Sequence, residues 1–257
     1  SGQPNLLILS MVNDAIMAIW DGHLEEAVEI RRRILARAQE LGVLEYAVMW
    51  ASWILPARVY RGDASRALEA QLQGARTLPE NVATDMVILY CLAHLGRYTE
   101  VAKMLEQRVV ARPGIGSEKD EMSPTFDVAA LQAAVLAGHH PAAELLLHRF
   151  AGSKIVTSGM WLTTCVGRHL GAAAALLGRH DEARSHYQEA LKVATELKFR
   201  PEVALIHLQL AELLLEHYPK ERAEALEHLD FAITEFRDMK MQPPLERALR
   251  HKDILKA

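Results

Sequence analysis

The fold is decided by the stretch from Gly171 to Ala190, which reads GAAAALLGRHDEARSHYQEA. Its first half is rich in alanine, the best helix former, and Gly178 then offers the left-handed conformation that closes a helix. After this glycine, Ala183, Tyr187 and Ala190 recur at the spacing of one helix face. The stretch therefore predicts two helices that are joined by a tight turn and lie close together, because alanine lets their backbones approach.

The same pattern recurs along the chain. Glycines that follow an apolar helical stretch are spaced by 40, 34, 42 and 40 residues, at Gly22, Gly62, Gly96, Gly138 and Gly178. A weaker sixth turn falls at Tyr218-Pro219-Lys220. Strand patterns are nearly absent, and the 38 alanines favour helix. Since tandem repeats of roughly 20–50 residues are typical of stacked arrays, we predict an all-α solenoid of about six helix pairs.

Apolar periodicity gives the bounds of these pairs. They are 5–20 with 24–41, 44–61 with 64–77, 82–95 with 98–111, 125–137 with 141–151, 159–177 with 181–198, and 201–217 with 221–240. A polar helix over about 245–255 follows Pro243-Pro244, and we expect it to cap the end of the stack.

Residues 112–124 interrupt the repeats with two prolines, two glycines and four consecutive charges. They predict a loop, for which a plain spacer is favoured over a functional lid. The loop divides one continuous solenoid into 1–111, with repeats 1–3, and 125–257, with repeats 4–6 and the capping helix.

Composition excludes several function classes. The 29 basic and 33 acidic residues give a net charge of −4, so no basic face is expected for direct contact with nucleic acid. No apolar run approaches the ~20 residues that span a bilayer, so we expect no membrane contact. Cys91 and Cys165 are too few for a disulfide framework, which favours the reducing cytoplasm. Ser1-Gly2 is typical of a tag remnant, so we expect a piece of a longer protein.

These repeats resemble the tetratricopeptide repeat family. The fifth unit carries the turn glycine and the Ala, aromatic and Ala positions of the second helix, at Gly178, Ala183, Tyr187 and Ala190. The first unit matches at fewer positions, Gly22, Leu24 and Ala27, and the third matches at Gly96 and Tyr98. The usual closing proline is missing, and several repeats run near 40 rather than 34 residues. This longer form is similar to the C-terminal helical arrays of large bacterial ATPase and transcription regulators and cyclase fusions.

The resemblance implies a right-handed superhelix whose first helices line a concave groove. Such proteins mostly bind proteins or peptides, and some of the regulators sense small effectors. If the turn glycines share one register, residues six to thirteen positions earlier face the groove. The candidates are Asn13, Ser52, Trp53, Met86, Tyr90, Gln132, Arg168 and His207. Trp53, Met86 and Tyr90 suit the core between helices equally well, which is the simpler interpretation for each taken alone.

The sequence offers little for catalysis or metal binding. Cys165-x3-His169 and Cys91-x2-His94 carry zinc-type ligands, but they lie two repeats apart, and solenoid repeats contact only their neighbours. Gly114-Ile-Gly-Ser117 lacks the Gly-Lys-Ser/Thr and the preceding strand of a phosphate loop. No nucleophile motif is present. We therefore expect no enzyme activity, no metal and no cofactor, and both cysteines in the core.

The sequence thus predicts a non-catalytic scaffold that binds a protein, a peptide or a small effector in its groove, as the sensing or interaction region of a larger bacterial signalling or transcription regulator. The alternative is an oligomerisation module without an effector. Its basis is an apolar face that could pack on a further element or on a second copy of the chain, formed by Leu226, Leu229, Ile233, Phe236, Met239 and Met241.

Overall fold

The computed structural model describes residues 3–77, 80–158 and 163–256. Ser1-Gly2 and the first positions of the predicted 159–177 helix lie outside these ranges. Within them every regular element is a helix, apart from one isolated antiparallel bridge between Thr157 and Cys165. The predicted all-α class is confirmed.

The first three repeats follow the predicted pairs, with two irregular turns. Their helices are α1 (Pro4–Trp20), α2 (Leu24–Leu41), α3 (Leu44–Ala51), α4 (Leu55–Arg61), α5 (Ser65–Ala75), α6 (Val82–His94) and α7 (Tyr98–Leu105). A 3-10 turn, Ser52–Ile54, separates α3 from α4, because Pro56 has no N–H for the helical ladder. A π-helical turn, Glu106–Val110, continues α7.

The second half holds three further pairs and the closing helix. They are α8 (Pro124–Ala137), α9 (His140–Phe150), α10 (Val166–Leu176), α11 (His180–Glu196), α12 (Arg200–His217), α13 (Arg222–Asp238) and α14 (Gln242–Lys256). Helix α10 begins seven positions later than predicted. Cys165 is extended there, and its N–H donates to the Glu202 carboxylate instead of a helical carbonyl (2.9 Å).

Close packing within the repeats depends on small residues, as the sequence predicted. Gly178 ends the first helix of its pair at φ 74°. Gly171 lies under the ring of Tyr187, and a Cβ built on it would come 2.5 Å from that ring. Any larger residue at position 171 would therefore push α10 away from α11.

The array closes on itself, because its first repeat packs against its last. The indole of Trp20 stacks on Phe199 at 4.9 Å, Arg200 Nη1 donates to the carbonyl of Asp21 (3.2 Å), and Lys240 Nζ bonds Glu25 Oε2 (2.5 Å). We call these contacts the seam. Helix α14 packs on α13 and also reaches α4, where Pro243 lies over Gly62.

The seam corrects one expectation about self-association. Leu229, Ile233, Phe236, Met239 and Met241 are all buried, in an apolar core that joins the first two repeats to the last. This apolar face is therefore covered within the chain, because repeat 1 and α14 fold back onto it.

Residues 112–124 form successive turns that a buried charge cluster holds in place. Asp127, with no exposed surface, accepts from Arg112 Nη1 (2.9 Å) and from Arg149 Nε (3.1 Å). Asp120 in the loop accepts from the N–H of Gly116 (2.8 Å) and pairs with both arginines. The loop is thus fastened to α8 and α9. No helix among the described residues is long and apolar enough to cross a bilayer.

Candidate functional site

The first helices of repeats 2 to 6 turn one face toward a common cavity of about 280 Å³, and α14 covers it; we call this the central cavity. Its apolar wall consists of Val59, Val135, Leu136, Ala172, Leu205 and Leu208. Its polar groups are Tyr60, His94, Gln132, Arg168, His169 and Gln209. Helix α14 adds Pro243, Pro244, Arg247 and Arg250. An apolar lining with a few placed polar groups is typical of a small-molecule site.

A larger depression of about 650 Å³ lies at the junction of α2 and α3. Five of its seven lining residues are exposed, and Glu45 is its one charged residue. It offers no enclosed polar group, so the central cavity is the stronger candidate.

A buried ion pair forms the floor of the central cavity. Arg168 on α10 donates from Nε to Glu202 Oε2 (2.8 Å) and from Nη2 to Oε1 (3.0 Å). Glu202 is the second residue after the start of α12 and has no exposed surface. It also accepts from the Thr164 hydroxyl (3.0 Å) and from the hydroxyl of Tyr60 on α4 (3.4 Å). One carboxylate thereby ties three repeats together.

Two donors of this network, Arg168 and Tyr60, keep the proton that their hydrogen bonds to Glu202 require. Burial lowers the pKa of the Arg168 guanidinium, but the Glu202 carboxylate more than offsets this, and the pKa is raised overall. Burial, and then the Glu202 charge, raise the pKa of Tyr60. The guanidinium therefore stays charged at neutral pH, and the phenol stays a hydrogen-bond donor.

Two imidazoles lie in the cavity beside this pair. Burial, and then the Arg168 charge, lower the pKa of His94 to about 4 and that of His169 well below its usual value. His169 Nε2 lies 2.8 Å from the Thr164 hydroxyl, and His94 Nε2 lies 3.3 Å from Gln132 Nε2. Both rings are neutral at pH 7, so each offers one donor and one acceptor without charge.

The mouth of the cavity carries the arginines of α14. Arg247 binds Glu212 through Nε (2.5 Å) and Nη2 (2.6 Å). Arg250 is exposed and forms no ion pair or hydrogen bond with the described part of the chain. Nearby, Gln209 Oε1 is buried and has no hydrogen-bond partner among the described residues.

The structure brings some of the predicted groove residues together and separates others. Gln132 and Arg168 line the central cavity. Tyr90 is buried, with its ring 4.4 Å from that of His94, and Met86 borders a void of about 10 Å³ that Gln132 also lines.

The other four lie elsewhere. Ser52 and Trp53 are buried near the start of the array, where Ser52 Oγ donates to the Met49 carbonyl (2.6 Å). Asn13 is exposed on α1. His207 faces α13, with its Nδ1 2.8 Å from that of His228.

The predicted window, six to thirteen positions before the turn glycine, explains only part of the lining, because repeats 2 to 4 also line the cavity with residues two or three positions before that glycine. His94 lies two positions before its turn glycine, whereas Arg168 lies ten before its own. Tyr60 likewise lies two positions before Gly62, whereas Trp53 lies nine positions before it, in the 3-10 turn, and does not line the cavity.

Sequence reasoning missed Tyr60, Glu202, Arg250 and the two imidazoles. His94 and His169 were considered only as parts of distant zinc-type pairs; the closed array places both at one cavity, although no group of three potential metal ligands occurs in the described ranges. Both cysteines of those pairs are buried. One usable signal was the charged pair Arg168 and Glu202, which are 34 residues apart in otherwise apolar helix stretches, close to one repeat length.

Comparison with known proteins supports the repeat assignment. Residues 163–234 match the sequence model of the tetratricopeptide repeat, and this segment spans α10 to α13. No curated protein matches the chain. Repeats of this family generally mediate protein–protein interaction or act as scaffolds. Residues 163–234 are therefore identified as tetratricopeptide repeats, and the paired helices described around them continue the same all-α architecture.

Proposed function

We propose that the chain is a non-catalytic scaffold that binds a small effector in the central cavity and relays its presence to a protein partner. In this proposal it is the sensing region of a larger bacterial signalling or transcription regulator in the cytoplasm. The observation that carries the proposal is the lining of the cavity, which five repeats and α14 share.

A shared lining gives a bound molecule leverage over the shape of the array. The curvature of a solenoid is the sum of small rotations between neighbouring repeats. A ligand that contacts α4, α8 and α12 at once favours one set of these rotations over others. Its differential affinity for the two shapes then shifts their populations, which a partner bound outside can detect.

The size and chemistry of the cavity favour a small, unmodified ligand. Its volume is near the lower edge of the roughly 300–1,000 Å³ of ligand pockets, which suits a small molecule better than an extended peptide. Among the described residues, its lining includes no Ser, Thr, Cys, Lys, Asp or Glu. The described lining thus offers no serine or cysteine nucleophile for its two imidazoles to activate, which supports binding without catalysis.

The test blocks the cavity without disturbing the core. Leu136 lines the cavity but is 39% exposed, so Leu136→Trp can narrow the space while the chain still folds. Val82→Trp, at the start of α6 with 41% exposure and outside the cavity lining, is the matched control. Thermal melts against a metabolite library should identify compounds that stabilise the wild type and the control but not Leu136→Trp. Equal stabilisation of all three would refute a cavity site.

A second candidate function is homo-oligomerisation, which exposed apolar residues on the first helices support. Leu6, Leu7 and Met17 on α1 and Val48 and Met49 on α3 are 42–60% exposed. Light scattering over a concentration series should then show a dimer or larger species that Leu6→Lys with Met17→Lys dissociates. A monomer at every concentration would rule this function out.

A further inference from the structure

The lining of the central cavity is unbalanced in charge. The described residues of the lining include three arginines and two imidazoles but no carboxylate. Glu202 compensates Arg168, and Glu212 compensates Arg247. Arg250 has no such partner in the described structure, so the cavity mouth carries one uncompensated positive charge.

The interior of the cavity favours a hydrogen-bond donor rather than a charged group. Gln209 Oε1 is buried without a hydrogen-bond donor, and an unsatisfied buried acceptor costs about 1–3 kcal/mol. Because His94 and His169 are neutral, they add no further charge there. The remaining wall is aliphatic, with Val135, Leu136 and Leu205. An N–H or O–H group on an aliphatic body would complement this interior.

From this arrangement we propose that the central cavity selects a small organic anion: its charged group meets Arg250 at the mouth, its aliphatic body fills the wall, and an N–H or O–H donates to Gln209. This inference rests on the proposed function and adds the class of the effector. A cation is disfavoured at the mouth, where the charge of Arg250 is uncompensated.

The helix that supplies the anion contact is also the one that covers the cavity. Pro243, Arg247 and Arg250 lie four and three positions apart on α14, so they share one face, and that face is turned to the cavity. A bound anion therefore adds a direct attraction between the cavity contents and α14. Occupancy in this scheme holds α14, and with it the contact between Pro243 and Gly62, in place.

The probes for the test are acids no larger than N-acetylleucine, each compared with its amide and with a cationic amine of similar shape. Calorimetry should show that N-acetylleucine binds about ten-fold more tightly than N-acetylleucinamide, the factor expected from a hydrogen-bonded charge pair that is partly exposed. Leucinamide, a cation, should not bind. 4-Methylpentanoate, which lacks the N–H, should bind several-fold more weakly than N-acetylleucine.

Two substitutions assign these preferences to the proposed groups. Arg250→Gln should reduce the preference of acid over amide to near unity. Arg237→Gln should leave it unchanged, because Arg237 on α13 is exposed and forms no ion pair with the described residues. Gln209→Leu should remove the advantage of N-acetylleucine over 4-methylpentanoate. Each change keeps a side chain of similar length at a partly exposed position, so folding is retained.

The outcomes separate this inference from the proposed function. Amides or amines that bind as tightly as the acids, and that Leu136→Trp still blocks, would leave the effector cavity standing and overturn the selection for anions. A preference for acids that survives Arg250→Gln would also overturn it. If no acid, amide or amine of the panel binds the wild type, the anion class is refuted, and the metabolite melts decide the cavity itself.

Discussion

Glu202→Gln is expected to destabilise the chain strongly, although it only replaces one carboxylate oxygen by an NH2 group. The variant keeps the shape and one acceptor oxygen of Glu202, which has no exposed surface. It removes the negative charge that neutralises Arg168, which is itself only 8% exposed and donates two hydrogen bonds of 2.8 and 3.0 Å to the carboxylate. A buried guanidinium is thereby left without its counter-charge.

The size of the effect follows from that burial. Removing one partner of a buried ion pair costs about 3–5 kcal/mol, because the other charge stays desolvated. For a chain of this length each kcal/mol lowers Tm by roughly 2–4 °C, so the melting point should fall by about 6–20 °C. The Thr164 hydroxyl and the Cys165 N–H donate to different oxygens of Glu202, so one of these bonds is lost with the charge, and the loss should lie in the upper part of this range.

Urea unfolding and thermal melts followed by circular dichroism measure the change. Glu189→Gln on α11, which is exposed and has no ion pair in the described part of the chain, should stay within about 0.5 kcal/mol of the wild type. The double variant Arg168→Met with Glu202→Gln should be more stable than Glu202→Gln alone, because the unpaired cation is gone. A loss below about 1 kcal/mol for Glu202→Gln, or simple additivity in the double variant, would refute the reasoning.

Three further predictions concern other parts of the molecule. Gly22→Ala should lower the free energy of unfolding more than Gly42→Ala. Both glycines have positive φ, which alone costs an alanine about 1–2 kcal/mol, but only at Gly22 would the new Cβ clash, at 2.6 Å from Met239. Equal urea midpoints for the two variants would contradict this. Burial lowers the pKa of His94 to about 4, so on acidification the unfolded chain protonates this imidazole before the folded chain does, and stability should fall as pH drops from about 6.5 towards 4. His94→Gln should make this fall shallower, and an unchanged pH profile of stability would contradict the prediction. Asp127→Asn should weaken the fastening of residues 112–124 by about 1.5–3 kcal/mol and speed tryptic cleavage there, whereas an unchanged cleavage rate would show that the charge cluster does not hold the loop.

The helices were predictable because their signals are local. The ends of α2 coincide with the predicted 24–41, and those of α11 differ from the predicted 181–198 by two residues or fewer. A turn glycine and an apolar face with helical spacing are visible within a single repeat. The late start of α10 was not visible, because it depends on the bond between Cys165 and Glu202, 37 residues later.

The site was only partly predictable because it depends on how the repeats sum. Arg168 and Gln132 were found from their positions ahead of a turn glycine. Arg250 was not, since nothing in the sequence of α14 says that the helix lies over a cavity rather than over a free end. The rotation between neighbouring repeats decides this, and packing residues such as Ala183 are similar in every repeat and do not encode it.

The seam also bears on how the chain folds and unfolds. An open solenoid adds repeats one after another through local contacts, and its outermost repeats fray first. Here Lys240 meets Glu25 across 215 positions, so this contact forms only after the intervening repeats have docked. Contacts of such long range slow folding, and they leave neither end repeat free to open independently. The seam should accordingly form last, in one concerted closing step of folding, and the chain should melt as a single unit rather than repeat by repeat.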